Sequence, residues 1–310
     1  SRNPATGFLS EIQTPIGNRE VTNVSVSPSG ANVYVTDRGA GSIAVYSRDQ
    51  TTGLLTHIEW QPESSDGVEG LYKVQDVAES SDGKNVYAKG YSLWTGSSTL
   101  VWFSRDETTG RLTFLDEITS NPATNLEASL AISSDGAHVY TGGSNGDGEG
   151  ILTVFERDPA TGLANMIQSI PNGSDGVSGL GRRLMVAMSP IGDYVYTGSY
   201  ASQGALVAFS RDPSSGILTF DQKLTDAVDG MDGLGYPWSL TVSSDGNHVY
   251  VIDVGDRAIA AFERNNVFRL GRHVVTLAPG EVASDIDFSN APPTFSIDDV
   301  SVSEGDSGQT

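Results

Sequence analysis

The sequence predicts an all-β fold, a β-propeller whose blades are four-stranded antiparallel sheets. Two recurring markers predict this class. The first is a small polar turn followed by a strand with a tyrosine, and the second is an aromatic residue followed shortly by arginine and an acidic or amide residue. Since no segment shows the apolar spacing of an amphipathic helix, the repeated unit consists of strands alone.

The first marker sets the length of the repeat. Its turn reads Ser-Asp-Gly or Ser-Pro-x-Gly, which supplies a glycine for the positive φ angle of a tight hairpin. The tyrosines that follow the turn are separated by 53, 53, 56 and 54 residues, and they are Tyr34, Tyr87, Tyr140, Tyr196 and Tyr250. This spacing leaves room for four short strands in each repeat.

The second marker predicts the last hairpin of each repeat. Its arginines are Arg48, Arg105, Arg157, Arg211 and Arg264. In the first four copies an Asp follows and a Gly lies four residues further on, so the carboxylate can cap a turn that the glycine completes. The segment 1–7 carries the same marker without the preceding strands, so we expect the chain to begin inside a blade.

The first repeat illustrates the four strands. Segments 21–27, 32–36, 42–46 and 54–60 are rich in Val, Ile, Tyr, Thr and Leu and are bounded by turn residues. Five complete repeats follow one another, with partial blades at both ends, at 1–14 and 282–289. The parent propeller would have six or seven blades, and closure into a ring would remove exposed sheet edges. The glycine-rich segment 142–148 is predicted as a loop.

The composition excludes several classes of partner. Lys and Arg total 18 and Asp and Glu total 39, so the net charge is −21. This charge repels nucleic acids and anionic lipids. The chain has no cysteine, which excludes a disulfide framework, and no apolar run long enough for a membrane helix. We expect neither nucleic-acid binding nor membrane insertion.

The repeat resembles a known family. The segments VSPSGANVYVTDRG at 26–39 and IAVYSRD at 43–49 are similar to the lactonase-type, 6-phosphogluconolactonase-like (YVTN-like) seven-bladed propellers. The resemblance covers residues 1–289 and implies the propeller fold. It also implies an alternative activity, lactone hydrolysis in the central channel. The propeller domain is therefore predicted to span residues 1–290.

A second resemblance begins after Pro292-Pro293. Residues 294–308 are similar to the first strand of a Calx-β domain, so residues 291–310 are predicted to be a linker and the start of such a domain. This resemblance implies an extracellular or cell-surface protein of bacterial type, with further Calx-β domains in the same chain. It also makes Glu304 a candidate calcium ligand.

Candidate functional residues lie in loops that enter the inner strands or follow the second strands. A lactonase needs a group that activates water and a cation that stabilises an oxyanion, and Glu69 with Arg182 or Arg183 would supply both. The remaining candidates are predicted to bind a ligand at the same face, and they are Arg38, Tyr236, Trp238 and Arg257.

One of these loops is a candidate metal site. Asp226, Asp229 and Asp232 alternate with glycines and small residues, and carboxylate oxygens are the ligands that calcium prefers. The spacing differs from that of a twelve-residue calcium loop, and Asp-Gly pairs also simply make turns. No cofactor is required for either interpretation of the protein, and calcium is the one metal that the residues suggest.

The sequence favours a non-catalytic function. It contains no nucleophile elbow, phosphate-binding loop or zinc-binding helix motif. The leading hypothesis is an extracellular adhesion module that binds a protein or a glycan on the loop-rich face. The alternative hypothesis is a lactone hydrolase with its site in the central channel.

Overall fold

A computed structural model describes residues 10–14, 19–65, 67–94, 97–119, 129–145, 147–200, 204–228, 232–264 and 271–276. The chain divides into two compact units, Ser1–Thr276 and Leu277–Thr310, and every described residue belongs to the first unit. The predicted strand at 282–289, the predicted domain boundary at 290 and the Calx-β segment with Glu304 lie outside the described residues.

Five four-stranded sheets account for all the regular structure of the described residues, and no helix occurs among them, so none could cross a membrane. Each sheet contains four consecutive strands in chain order, and every neighbouring pair is antiparallel. Blade 1 comprises β1 (Val21–Val26), β2 (Asn32–Asp37), β3 (Ser42–Arg48) and β4 (Leu55–Pro62). Blade 2 comprises β5 (Tyr72–Glu79), β6 (Asn85–Tyr91), β7 (Ser98–Arg105) and β8 (Leu112–Thr119).

The same order continues through the remaining sheets. Blade 3 comprises β9 (Leu130–Ile132), β10 (His138–Ser144), β11 (Gly150–Arg157) and β12 (Ala164–Pro171). Blade 4 comprises β13 (Arg183–Met188), β14 (Tyr194–Tyr200), β15 (Ala205–Arg211) and β16 (Leu218–Thr225). Blade 5 comprises β17 (Pro237–Val242), β18 (His248–Asp253), β19 (Ala258–Glu263) and β20 (Gly271–Thr276).

The first strands of successive sheets contact one another in the order β1, β5, β9, β13 and β17. The first strand of each blade is therefore the innermost strand, and the fourth is the outermost. Sheets that pack in this way around their first strands are the blades of a propeller. The predicted fold class and the five four-stranded repeats are confirmed.

Apolar side chains fill the interfaces between blades. Tyr34 and Val45 of blade 1 pack in one cluster with Val101 and Phe103 of blade 2, and each of these side chains is fully buried. Burying one large apolar side chain contributes roughly 1.5–3 kcal/mol, so every interface adds substantially to stability. The repeated tyrosine of the sequence marker is thus a core residue of the interface.

The turns that the sequence predicted form as expected. Asp106 Oδ1 accepts hydrogen bonds from the backbone amides of Thr108 at 2.9 Å and Thr109 at 2.7 Å, and Gly110 completes the turn with a φ of 79°. Gly83 in the Ser-Asp-Gly turn has a φ of 72°. Both glycines adopt the left-handed conformation, which other residues adopt only at a cost.

In blades 2 to 5 the repeated arginine connects the blade to the one before it. Arg211 of blade 4 donates from Nε to the hydroxyl of Tyr140 at 2.7 Å, and from Nη2 to Asp135 at 2.7 Å. Its Nη2 also lies 2.8 Å from Nδ1 of His138, and its Nη1 donates to the carbonyl of Gly192 at 2.9 Å. The side chain of Arg211 is only 1% exposed, so these are buried, charge-assisted bonds.

Equivalent arginines make the same connection at the other interfaces. Arg105 of blade 2 donates to the hydroxyl of Tyr34 at 2.7 Å and to Asn32 Oδ1 at 2.5 Å in blade 1. Arg157 donates to Asn85 Oδ1 of blade 2 at 2.6 Å, and Arg264 donates to Asp193 Oδ1 of blade 4 at 3.1 Å. The second sequence marker therefore encodes an interblade clamp as well as a turn.

Acid should weaken this clamp. Burial opposes the ionisation of Asp135, but hydrogen bonds from Ser133, Ala137 and Arg211 outweigh it and hold its pKa at about 2, below the ordinary 3.8. Since the folded pKa is the lower one, this carboxylate stabilises the fold above about pH 4 and loses its effect as the pH falls towards 2. Urea titrations at pH 7, 4 and 2.5 are expected to show a shallower loss of stability for Asp135→Asn than for the wild type. An equally steep loss would contradict this role.

Residues 10–14 occupy the place of an outermost strand beside blade 1. Gln13 donates to the carbonyl of Leu55 at 3.0 Å and accepts from its amide at 2.7 Å. Gln168 on β12 makes the same pair of bonds to Leu218 on β16, at 2.9 and 2.8 Å. The prediction that residues 1–14 form part of an outer strand agrees with this contact at residues 10–14, and residues 1–9 lie outside the described part of the chain.

Candidate functional site

The predicted functional residues share one end of the propeller, at which first strands begin and second strands end. We call this end the entry face, because the loops that enter each inner strand lie there. Arg183 opens β13, Tyr236 directly precedes β17, and Trp238 is the second residue of β17. Arg38 and Arg257 follow β2 and β18. Glu69, Arg182, Asp226 and Asp232 lie in the entry loops, and Asp229 is outside the described residues.

The structure brings three of these residues together. The guanidinium carbon of Arg183 lies 3.4 Å from the ring centroid of Trp238, and Tyr236 stacks beside that ring with centroids 6.3 Å apart. Trp238 nevertheless keeps 45% of its surface exposed. An exposed aromatic face can pack against the ring of a ligand, and a guanidinium stacked on that aromatic residue can donate hydrogen bonds to the oxygen atoms of the ligand.

A β-bulge positions Trp238. In the ladder between β17 and β18, Pro237 pairs with Asp253 and Ser239 pairs with Ile252, so Trp238 has no partner across the ladder. Bulges of this kind redirect a side chain and occur often beside functional sites. The bulge explains why Trp238, near the start of β17, lies against Arg183, the first residue of the neighbouring inner strand β13.

Carboxylates hold the loop that leads into Tyr236. Asp253 Oδ2 accepts from the amide of Tyr236 at 2.5 Å, and Asp256 Oδ2 accepts from the amides of Gly233 and Gly235 at 3.1 Å each. Burial raises the pKa of Asp253, and the nearby charge of Asp256 adds to this effect. These bonds fix the backbone immediately before Trp238.

Three carboxylates converge beside this loop. One oxygen of each of Asp226, Asp232 and Asp256 lies within 4.8 Å of the others. Asp226 and Asp232 belong to the predicted calcium set, whereas Asp256 comes from the loop between β18 and β19 and was missed by sequence reasoning. Asp226 also accepts a hydrogen bond from the amide of Leu234 at 3.0 Å, so this carboxylate stabilises the loop itself. Calcium binding here stays a prediction.

Glu69 lies elsewhere on the entry face. It is exposed, and its amide bonds to the carboxylate of Glu117 on β8, the outermost strand of blade 2. Burial, together with the charges of Glu69 and Glu63, raises the pKa of Glu117 to about 7. The described neighbours of Glu69 are therefore Glu117 and Glu63, and no described contact joins Glu69 to Arg182 or Arg183.

The other predicted arginines are also separate from the Arg183–Trp238 pair in their described contacts. Arg182 is exposed, and its guanidinium lies against Gly148 in blade 3. Arg38 pairs with Glu20 at 3.0 Å in blade 1, where both side chains are open to solvent. Arg257 is exposed in a left-handed turn with a φ of 53°.

Two carboxylates on inner strands hold the blades together. Asp76 Oδ2 accepts from the amide of Leu130 on β9 at 2.8 Å, and Glu79 Oε2 accepts from the hydroxyl of Ser25 on β1 at 2.5 Å. Burial raises the pKa of Asp76 to about 6 and also raises that of Glu79. Both carboxylates bond to a neighbouring inner strand, which is a structural role.

Fold and entry face together define a β-propeller with a cation–aromatic site at one end of its inner strands. The chain belongs to the lactonase family of seven-bladed propellers. The family model described as "Lactonase, 7-bladed beta-propeller" matches residues 4–124 and 97–231. The predicted resemblance of the propeller is confirmed.

A sequence relative agrees with this assignment. A segment of 127 residues is 32% identical to 6-phosphogluconolactonase of Bacillus subtilis (strain 168); it is 39% of this chain and 34% of that protein. The match thus spans about a third of the length of the curated relative.

The solved structures share the fold at low sequence identity. A candidate 6-phosphogluconolactonase from Bacteroides fragilis NCTC 9343 has a TM-score of 0.58 at 20% identity, covering 83% of this chain and 69% of that one. A protein from Lactobacillus plantarum has a TM-score of 0.62 at 14% identity, covering 84% of this chain and 72% of that one. Hydrazine synthase of Kuenenia stuttgartiensis has a TM-score of 0.57 at 16% identity, covering 78% of this chain and 70% of that one. Such different proteins show that the fold alone does not set the activity.

These findings revise the functional hypothesis. They support a 6-phosphogluconolactonase-like propeller and give no support to the adhesion module that was predicted first. The Calx-β segment lies beyond residue 231, where the family match ends. An extracellular location, a protein or glycan partner and further Calx-β domains stay predictions.

Proposed function

We propose that the chain hydrolyses a sugar lactone on the entry face, between the inner strands of blades 4 and 5. The observation that carries the proposal is the stack of Arg183 on Trp238, at 3.4 Å, where β13 and β17 begin. Membership in the lactonase family and the similarity to a 6-phosphogluconolactonase support it.

The chemistry needs three contributions, and this region offers each. Water attacks the lactone carbonyl, the carbonyl oxygen becomes an oxyanion, and the ring C–O bond then breaks as the leaving oxygen takes up a proton. Arg183 is the cation that would stabilise the oxyanion. Asp232, the exposed member of the carboxylate cluster, is the base that would take the proton from water and then, as the acid, return it to the leaving ring oxygen.

The aromatic residues would bind the sugar ring. Trp238 exposes nearly half of its surface, and Tyr236 extends the aromatic surface beside it. Aromatic faces pack against the apolar C–H face of a sugar ring, while the polar groups of the sugar bond to neighbouring charged side chains. Because the backbone of the loop is fixed by Asp253 and Asp256, the site is largely preformed.

The test is hydrolysis of δ-gluconolactone and 6-phosphogluconolactone. Proton release measures the rate, which is compared with the rate of spontaneous hydrolysis in buffer. Arg183→Gln is expected to lower kcat/KM about 100-fold, because it removes an oxyanion donor, and Trp238→Ala is expected chiefly to raise KM. Arg38→Gln is the matched control: it removes an entry-face arginine whose described ion pair is with exposed Glu20, and it should leave the rate unchanged. Absence of turnover by the wild type, or full activity of Arg183→Gln, would refute the proposal.

A further inference from the structure

Blade 2 contains a buried lysine that the proposed reaction does not use. Lys89 lies on the second strand, β6, and only 3% of its surface is exposed. The equivalent positions of the neighbouring blades are Thr36 in blade 1 and Gly142 in blade 3, so the repeat itself does not require a cation here. An ammonium group in the interior costs free energy unless an anion compensates it.

The structure provides no such anion among the described residues. Asp76 lies opposite Lys89 in the ladder, but its Oδ1 accepts from the amide of Val77 at 2.9 Å and its Oδ2 accepts from Leu130. Burial alone lowers the pKa of Lys89 to about 8, with no contribution from a neighbouring carboxylate. The charge of Lys89 is therefore uncompensated in the described part of blade 2.

Aromatic residues lie on the same face of blade 2, towards its entry-face end. Tyr91 is two residues after Lys89 on β6, so both side chains project from one face of the sheet. Tyr72 on β5 pairs with Tyr91 across the ladder, and their ring centroids are 6.4 Å apart. The ammonium of Lys73 lies 5.3 Å from the centroid of Tyr72.

The backbone at Lys73 is strained as well. Its φ is 50°, in the left-handed region that residues other than glycine rarely adopt. It lies in an irregular stretch of β5 between Tyr72 and Asp76, where three residues of β5 face a single residue of β6. Strain of this kind concentrates at ligand sites. It presents a second cation at this end of blade 2, in a chain with a net charge of −21.

We infer that Lys89, together with Tyr72 and Tyr91, forms a binding site for the phosphate or carboxylate group of a small organic anion. The anion would supply the counter-charge that the described residues of blade 2 do not, and the tyrosines would pack against the body of the molecule and donate hydrogen bonds to it. Lys73 would contribute at the rim. This site belongs to blade 2, whereas the proposed lactonase site belongs to blades 4 and 5, so the inference does not depend on the lactonase proposal.

Calorimetric titration tests the site with four probes: inorganic phosphate, 6-phosphogluconate, gluconate and neutral glucose. The charged probes are expected to bind, and glucose is not. Inorganic phosphate tests whether an anion alone is sufficient. The affinities of 6-phosphogluconate and gluconate show whether the site prefers a phosphate or a carboxylate. Lys89→Met, which keeps the length of the side chain without its charge, should weaken binding at least tenfold. Lys84→Met, an exposed lysine of the same blade, should bind as the wild type does.

Thermal unfolding provides a second, independent readout. Because no described carboxylate pairs with Lys89, Lys89→Met is expected to raise the melting temperature by a few degrees while it weakens binding, a trade of stability for function. The inference is overturned if Lys89→Met retains wild-type affinity for the charged probes, if no charged probe binds the wild type, or if Lys89→Met melts several degrees lower. The last outcome would show that the lysine serves the fold.

Discussion

Replacing Arg211 by methionine is expected to lower the free energy of unfolding by about 3–5 kcal/mol, because it leaves buried polar partners without their cation. The hydroxyl of Tyr140 and the carbonyl of Gly192 each lose a donor within 2.9 Å, and Asp135 loses its ion pair. Methionine retains an apolar stem, so the loss is mainly one of hydrogen bonds and charge. Urea denaturation followed by tryptophan fluorescence measures the effect.

Blade 1 supplies the matched control. Arg48 occupies the same place in the repeat, but its described bond is a single one, to the carbonyl of Gly30 at 3.1 Å, and its side chain is partly exposed. Arg48→Met is therefore expected to cost no more than about 1 kcal/mol. Equal losses in the two variants would show that the arginine stabilises its own turn and not the interface between blades.

Sequence repetition was sufficient for the fold because the blade is a local structure. Its strands, the Asp106 turn and the left-handed Gly110 all depend on residues within a few positions of one another. The interblade clamp was not predictable in this way. Arg211 and Tyr140 are 71 residues apart, and the recurrence of both markers shows that they matter without showing that they meet.

The candidate site was predicted in part for a related reason. Arg183 and Trp238 lie at or next to the first residue of an inner strand, so the position of the strand fixes the position of the side chain. Glu69 lies in a loop that runs from the outermost strand of one blade to the innermost strand of the next. A residue in such a loop can lie anywhere between the rim and the axis, and Glu69 lies beside β8. Asp256 joins the carboxylate cluster from a different loop, which no spacing in the sequence indicates.

The glycines of segment 142–148 are a second case in which the sequence did not show a contact between distant residues. The segment 142–148 was predicted as a loop, but the structure continues β10 through Gly142 and Gly143 to Ser144. The prediction was wrong for 142–144 and correct for residues 145, 147 and 148, which lie outside any strand. Glycines between strands were interpreted as a loop, whereas one of them serves close packing. Gly142 lies directly against blade 4, where an added Cβ atom would be 2.0 Å from the carbonyl oxygen of Leu184.

Gly142→Ala is accordingly expected to destabilise the protein by about 3 kcal/mol or more, because the carbonyl belongs to the backbone of β13 and cannot move without displacing the inner strand of blade 4. Gly143→Ala is the control in the next position, since an added Cβ there meets no atom within 4 Å and the residue is not left-handed. It should be neutral, or stabilise by up to about 1 kcal/mol through a less flexible unfolded chain. Urea midpoints of the two variants measure the difference, and a Gly142→Ala protein as stable as Gly143→Ala would mean that blades 3 and 4 do not approach as closely as the contact between Gly142 and Leu184 requires.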